Sequence, residues 1–312
     1  MAVAVAAALG VLAVLAGAAP TAPTLAGEAP CFGAAARDPQ RTCENPKSTT
    51  AVVPTPARAR QLVNAPCQVV ERLGRVRVCA FGAAAAPGVR TVALIGDSHA
   101  SHWRAALDVV VRRKGWRGLS VTHSSCPFSA ATAMIPQPGR GVCVEWKRDV
   151  RAWLARHPEI DTVFFGQHSG GTVIAPRGST QWGAQVEGYE KAWRALPAQI
   201  AHVLVLRDTP KMRSTTLGCV QDALARHLDP GRACAQPRSR ALERDPAAVA
   251  AAHVGRRGVR TFDLTRLLCD RRSCFPVIGG ALVYKDILHF TATFSTTLGP
   301  YLLRLVDALG LR

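Results

Sequence analysis

TVALIGDSHASHW (residues 91–103) sets a short apolar run, rich in β-branched residues and ending in Gly, directly before a helical pattern. VRTVALIG (89–96) reads as a strand buried on both faces, and SHWRAALDVVVRRKG (101–115) keeps apolar residues at helical spacing up to a terminal Gly. The same step recurs downstream. LSVTH (119–123), TVFFG (162–166), HVLVLRD (202–208) and VRTFDLT (259–265) read as strands. VCVEWKRDVRAWLARHP (142–158) is amphipathic, with Trp146, Val150, Trp153 and Leu154 on one face. QVEGYEKAWRALPAQI (185–200), DPAAVAAAHVGRRG (245–258) and HFTATFSTTLGPYLLRLVDALG (289–310) read as further helices, the last with a break expected near Gly299-Pro300. Alternating strands and helices with near-continuous apolar strands predict an α/β protein whose parallel sheet is covered on both faces. Sites in such sheets form at the carboxyl ends of the strands. Ser98 lies two residues past one of them.

The main domain is expected over 89–312. Residues 20–88 precede it as a Pro/Ala linker followed by a disulfide-stapled lead-in that packs on the main domain. Residues 1–19, MAVAVAAALGVLAVLAGAA, are apolar throughout, and the first basic residue is Arg37. That length suffices for a membrane span, whereas a secretory signal should carry a basic start. The segment is read as a membrane anchor, or as the last span of a larger membrane domain; a cleaved signal and a secreted product are the alternative.

Apolar residues make up 48% of the 312 and charged residues 19%, the balance of a globular chain. The net charge of +18 comes mostly from Arg scattered singly or in pairs. Without a basic block interleaved with aromatics, a nucleic-acid partner is not expected. The charge reads as a solvated surface, or as an attraction to anionic envelope polymers and lipid headgroups. Ten cysteines fall in close succession as 31/43, 67/79, 126/143, 219/234 and 269/274. No C-x-x-C or Cys/His cluster has metal-ligand spacing, so neither metal nor other cofactor is expected. Local disulfides in an oxidising, extracytoplasmic compartment fit better, although sequence leaves their connectivity open.

A serine after a strand either caps the following helix or acts as a nucleophile. GDSHA also lacks the second Gly of a G-x-S-x-G elbow, since Ala100 stands there. A nucleophile needs a base. Of nine His, only His289 has an Asp three positions earlier, in Asp286-Ile-Leu-His289. In a tight turn entering a helix, that carboxylate can hold one imidazole nitrogen while the other faces a serine. The turn also opens the last helix, where it can return to the end of the first main-domain strand.

VALIGDSHASHWRAALDVVVRRKGW (92–116), SSCPF (124–128), VLVLRDTP (203–210), Cys234-Ala235, VRTFDLTRLLC (259–269) and GGALVYKDILHFTATFSTTLGPYL (279–302) together resemble the SGNH (GDSL-like) hydrolase family. The likeness is closer to the extracytoplasmic SGNH domain carried by bacterial acyltransferase family three membrane proteins. It implies a flavodoxin-like three-layer α/β/α sandwich and a catalytic set of Ser98, Asp286 and His289. The family's oxyanion site uses the Ser amide, a Gly amide after the second strand and an Asn after the third. Here Ser125 takes the Gly position and His168 the Asn position. His99, His102 and His123 read as packing or solvent-exposed residues. The implied activity is O-acetyl transfer to, or acetyl-ester hydrolysis on, a cell-envelope glycan, with an O-acylated glycan or other envelope acyl ester and a polytopic membrane acyltransferase as partners. A non-catalytic glycan-binding or accessory module with a vestigial site is the alternative.

Overall fold

Thr91–Gly96 is buried at every position, the burial a central strand requires. The computed structural model describes residues 31–40, 43, 51–63 and 66–311. Its main sheet has seven strands: β1 (Val69–Leu73), β2 (Val76–Gly82), β3 (Thr91–Gly96), β4 (Arg117–Thr122), β5 (Ile160–Gly166), β6 (His202–Leu206) and β7 (Val259–Phe262). They lie in the order β1-β2-β4-β3-β5-β6-β7. The five strands from β3 onward are parallel to one another, and their order is that of a flavodoxin-like doubly wound sheet.

Helices α1 (Ser98–Lys114), α2 (Gly139–Ala155), α3 (Gln181–Arg194), α4 (Thr216–Ala225), α5 (Pro246–His253) and α6 (Ala292–Asp307) complete the frame. Alternation along β3 divides the core. Val92 and Leu94 pack beneath α1 and α6, while Ala93 and Ile95 pack on the opposite face with Trp146, Trp153 and Trp193 from α2 and α3. The result is the expected three-layer sandwich.

Two features differ from expectation. The lead-in supplies β1 and β2, and β2 pairs antiparallel with β4 from Val78↔Val121 to Gly82↔Arg117. The sheet is therefore mixed at this edge, and the expected boundary at 88/89 falls between strands of one sheet. The last helix does not break: α6 runs continuously through Pro300. Pro300 is exposed, so its ring meets solvent rather than a neighbouring element. Gly299 faces inward, where a Cβ would come within 2.5 Å of Val109 on α1.

All ten cysteines pair locally, as Cys31–Cys43, Cys67–Cys79, Cys126–Cys143, Cys219–Cys234 and Cys269–Cys274. The lead-in also docks on α6. Ala34 N–H donates to Thr297 Oγ1 at 3.0 Å, and Asp38 accepts from Arg304 at 3.2 Å. Residues 1–19, expected to reach a membrane, lie outside the described residues. Among the described residues, no helix is long and apolar enough to cross one.

Candidate active site

The turn from β3 into α1 carries the first site residues. Asp97 caps α1, its Oδ1 accepting the His99 amide at 2.8 Å. The turn is tight because Gly96 and Gly166 sit opposite one another on β3 and β5: a Cβ on Gly96 would lie 1.9 Å from the Gly166 carbonyl oxygen. Two adjacent glycines bring the helix start close to the sheet and leave Ser98 at its mouth.

Ser98 Oγ lies 2.8 Å from His289 Nε2, and His289 Nδ1 lies 2.8 Å from Asp286 Oδ2. The turn before α6 builds this geometry. Asp286 Oδ1 accepts the amides of Leu288 and His289 at 2.8 and 2.7 Å, folding residues 286–289 back on themselves. Thr291 then caps the helix by accepting the Phe294 amide. Partial burial raises the Asp286 pKa, but the imidazole and the two amides overcome that and hold it down at about 2. An ionised carboxylate places the proton on His289 Nδ1 and leaves Nε2 to accept from Ser98.

Ser125 and His168, the expected oxyanion pair, line the same cavity of about 370 Å³ as Ser98 and His289. Ser125 has φ +58°, a left-handed conformation that usually selects Gly. Ser125 is thus a residue with a side chain held in a backbone conformation that favours Gly. Cys126, next in the chain, is locked to Cys143 on α2. His168 is half-buried at the carboxyl end of β5. Burial, then the charge of His99, lowers its pKa, which favours the neutral imidazole with its one N–H. Across the cavity, loops 127–135 and 168–176 join through an Ala133↔Val173 bridge and a 2.9 Å bond from Met134 N–H to the Thr172 carbonyl.

Sequence reasoning missed the pairing of His99. Its ring Nδ1 meets Asp208 Oδ1 at 2.5 Å, with both side chains almost completely buried. Burial alone would push His99 toward neutrality. The Asp208 carboxylate outweighs it and raises the His99 pKa, while Asp208 itself stays below the usual carboxylate range. One signal was present: Ser98, His168 and Asp208 each stand two residues past the end of a parallel strand. His102 is buried, and its Nδ1 accepts the Phe290 amide at 3.4 Å, beside His289. His123 lies aside from this cluster, half-buried against Trp146. Among the described residues, no group of three or more His, Cys, Asp or Glu is placed to hold a metal ion.

A doubly wound sheet with a Ser–His–Asp relay at its strand ends defines a class of serine acyl-transfer and ester-cleaving domains. The family model described as "SGNH domain (fused to AT3 domains)" matches residues 66–304, and the chain belongs to that family. It is an extracytoplasmic SGNH catalytic domain. Among solved structures, the periplasmic domain of the lipopolysaccharide acetyltransferase of Salmonella ser. Paratyphi A has a similar fold. The TM-score is 0.54 at 12% identity, over 73% of this chain and 85% of that one. No curated protein matches the chain.

Proposed function

We propose that this domain transfers an acetyl group to or from a hydroxyl of a cell-envelope glycan through an acyl-enzyme on Ser98. The observation that carries the reading is the unbroken relay from Ser98 Oγ through His289 to Asp286, 2.8 Å at each step. His289 Nε2 takes the Ser98 proton as Oγ attacks the ester carbonyl. The oxyanion that forms is held by the amides of Ser98 and Ser125 and by the N–H of His168. Collapse breaks the bond to the donor oxygen, which leaves with the proton from His289. An acceptor hydroxyl then gives its proton to His289 and attacks the acyl-Ser98 carbonyl, regenerating the serine. A sugar hydroxyl as acceptor gives transfer, and water gives hydrolysis.

Membership of a family fused to AT3 domains supports a polytopic membrane acyltransferase as the source of acyl groups. The lipopolysaccharide acetyltransferase with a similar fold supports a glycan acceptor. The test is hydrolysis of 4-nitrophenyl acetate by the domain and its Ser98→Ala variant. Turnover with an acetylated Ser98 peptide in the wild type, and neither in the variant, is the expected result. Equal activity in both overturns the proposal.

A further inference from the structure

His99 follows the nucleophile and reaches both carboxylates that hold the opposite wall of the site. Its amide donates to Asp97 Oδ1 at 2.8 Å, and its ring Nδ1 meets Asp208 Oδ1 at 2.5 Å. The second oxygen of each carboxylate is committed to the loop after β5. Asp97 Oδ2 accepts the His168 amide at 3.0 Å. Asp208 Oδ2 accepts the amide and hydroxyl of Ser169 at 2.7 and 2.8 Å. Two consecutive amides of one loop therefore end on two carboxylates, and His99 meets the other oxygen of each, by its backbone amide on Asp97 and by its ring on Asp208, where the Thr209 amide also donates at 2.7 Å. The imidazoles of His99 and His168 are 4.7 Å apart, and those of His99 and His289 are 5.0 Å apart.

We infer that the imidazole of His99 is a positioning group for the oxyanion side of the site, acting through Asp208 on the backbone and hydroxyl of Ser169, the residue after His168. This rests on the reading of Ser98 as the acylated nucleophile. Removing the imidazole leaves Asp208, only 5% exposed, without the side-chain donor on its Oδ1, which keeps only the Thr209 amide at 2.7 Å. A buried carboxylate in that state takes up a proton or turns away, and either change loosens its hold on Ser169. Gly170 and Gly171 follow, with no side chains to keep the loop in place; the next side-chain hold is Gln185, which donates to the Gly171 carbonyl. A displacement of about 1 Å at a catalytic donor can cost on the order of 10²-fold in rate. The cavity walls formed by Pro127, Met134 and Tyr189 are untouched, so the loss belongs in kcat rather than KM.

The experiment compares His99→Phe, His99→Asn and Ser169→Ala with wild type and Ser98→Ala on 4-nitrophenyl acetate, with Tm measured for each. Phe fills the ring volume without the donor; the Asn side-chain nitrogen stands where Nδ1 stands. His99→Phe is expected to lower kcat roughly 30- to 100-fold, with KM changed less than about 3-fold. His99→Asn should recover kcat to within about 5-fold of wild type, and Ser169→Ala should lower it about 3- to 5-fold. In the His99→Phe background, Ser169→Ala should cost nothing further. Wild-type kcat in His99→Phe overturns the inference, as does an equal loss in the Asn variant or a loss confined to KM. If His99→Phe does not fold, Ser169→Ala decides, and an unchanged kcat there overturns it. Activity surviving in Ser98→Ala instead removes the nucleophile reading on which the inference stands.

Discussion

His289 Nε2 stands 2.8 Å from Ser98 Oγ across 191 residues of chain. The contact is made at the mouth of the sheet, where the 286–289 turn reaches the start of α1. The hydrogen bond needs an imidazole with its proton on Nδ1, and Asp286 supplies the reason for that tautomer. Replacing Asp286 by Asn is therefore expected to leave the fold intact and lower kcat about 10²- to 10⁴-fold in the acetate assay.

The same carboxylate makes a pH-dependent contribution to stability. Its folded pKa of about 2 lies below the roughly 3.9 of an unfolded Asp. The contribution is thus fully present above about pH 4 and is lost as pH falls through about 2. Urea melts of wild type and Asp286→Asn should differ by a constant amount from pH 7 down to about 4, and converge toward pH 2. A gap unchanged over that whole range refutes the assignment.

On the proposed mechanism Ser125 acts through its backbone amide, not its hydroxyl. Ser125→Gly should keep wild-type kcat and stay within about 1 kcal/mol of wild-type stability, because Gly takes the left-handed conformation without strain. Ser125→Val should lose both, since a β-branched residue resists φ +58°. His168→Ala should cost about 10²-fold in kcat, and His168→Asn should recover most of it.

The Cys126–Cys143 disulfide closes 17 residues and ends next to Ser125. Replacing both cysteines by Ser is expected to cost about 3 kcal/mol in denaturant unfolding. A kcat loss should persist at temperatures where the variant is still folded, because the Ser125 amide is no longer held. Thiol titration of the unreduced wild-type domain should find no free thiol, since no cysteine is unpaired.

Two glycine substitutions should have opposite signs. Gly96→Ala drives a Cβ onto the Gly166 carbonyl oxygen and should destabilise the domain by about 3 kcal/mol or prevent its folding. Gly218, inside α4, has nothing within 4 Å of its added Cβ. Gly218→Ala should stabilise by about 0.5–1 kcal/mol, read as a higher denaturation midpoint.

Much of the frame was legible in local pattern. The strand–turn–helix at 91–115 and the D-x-x-H turn are short-range features, and the structure reproduces both. The β1–β2 hairpin was legible too, yet its residues fall in what the sequence marks only as a disulfide-stapled lead-in. Val76-Arg77-Val78 alternates, and Val76 and Val78 are fully buried, but the surrounding charges and Gly74 disguise the strand. The expected break at Pro300 applied the rule for a helix interior without knowing that this position faces solvent. Strand ends pointed to Ser98, His168 and Asp208, but nothing local tied His99 to Asp208, 109 residues away.

By itself the sequence determined what depends on near neighbours: strand and helix periods, the capping Asp97, the Asp286–His289 turn, and cysteines close enough to pair. Strand order and register depend on which distant faces bury one another, and only the tertiary structure decided them. That order sets the ends of β3, β4, β5 and β6 side by side. It thereby placed Ser98, Ser125 and His168 on one cavity, to which the turn before α6 brings His289, and paired His99 with Asp208, whose buried charges need each other once water is excluded.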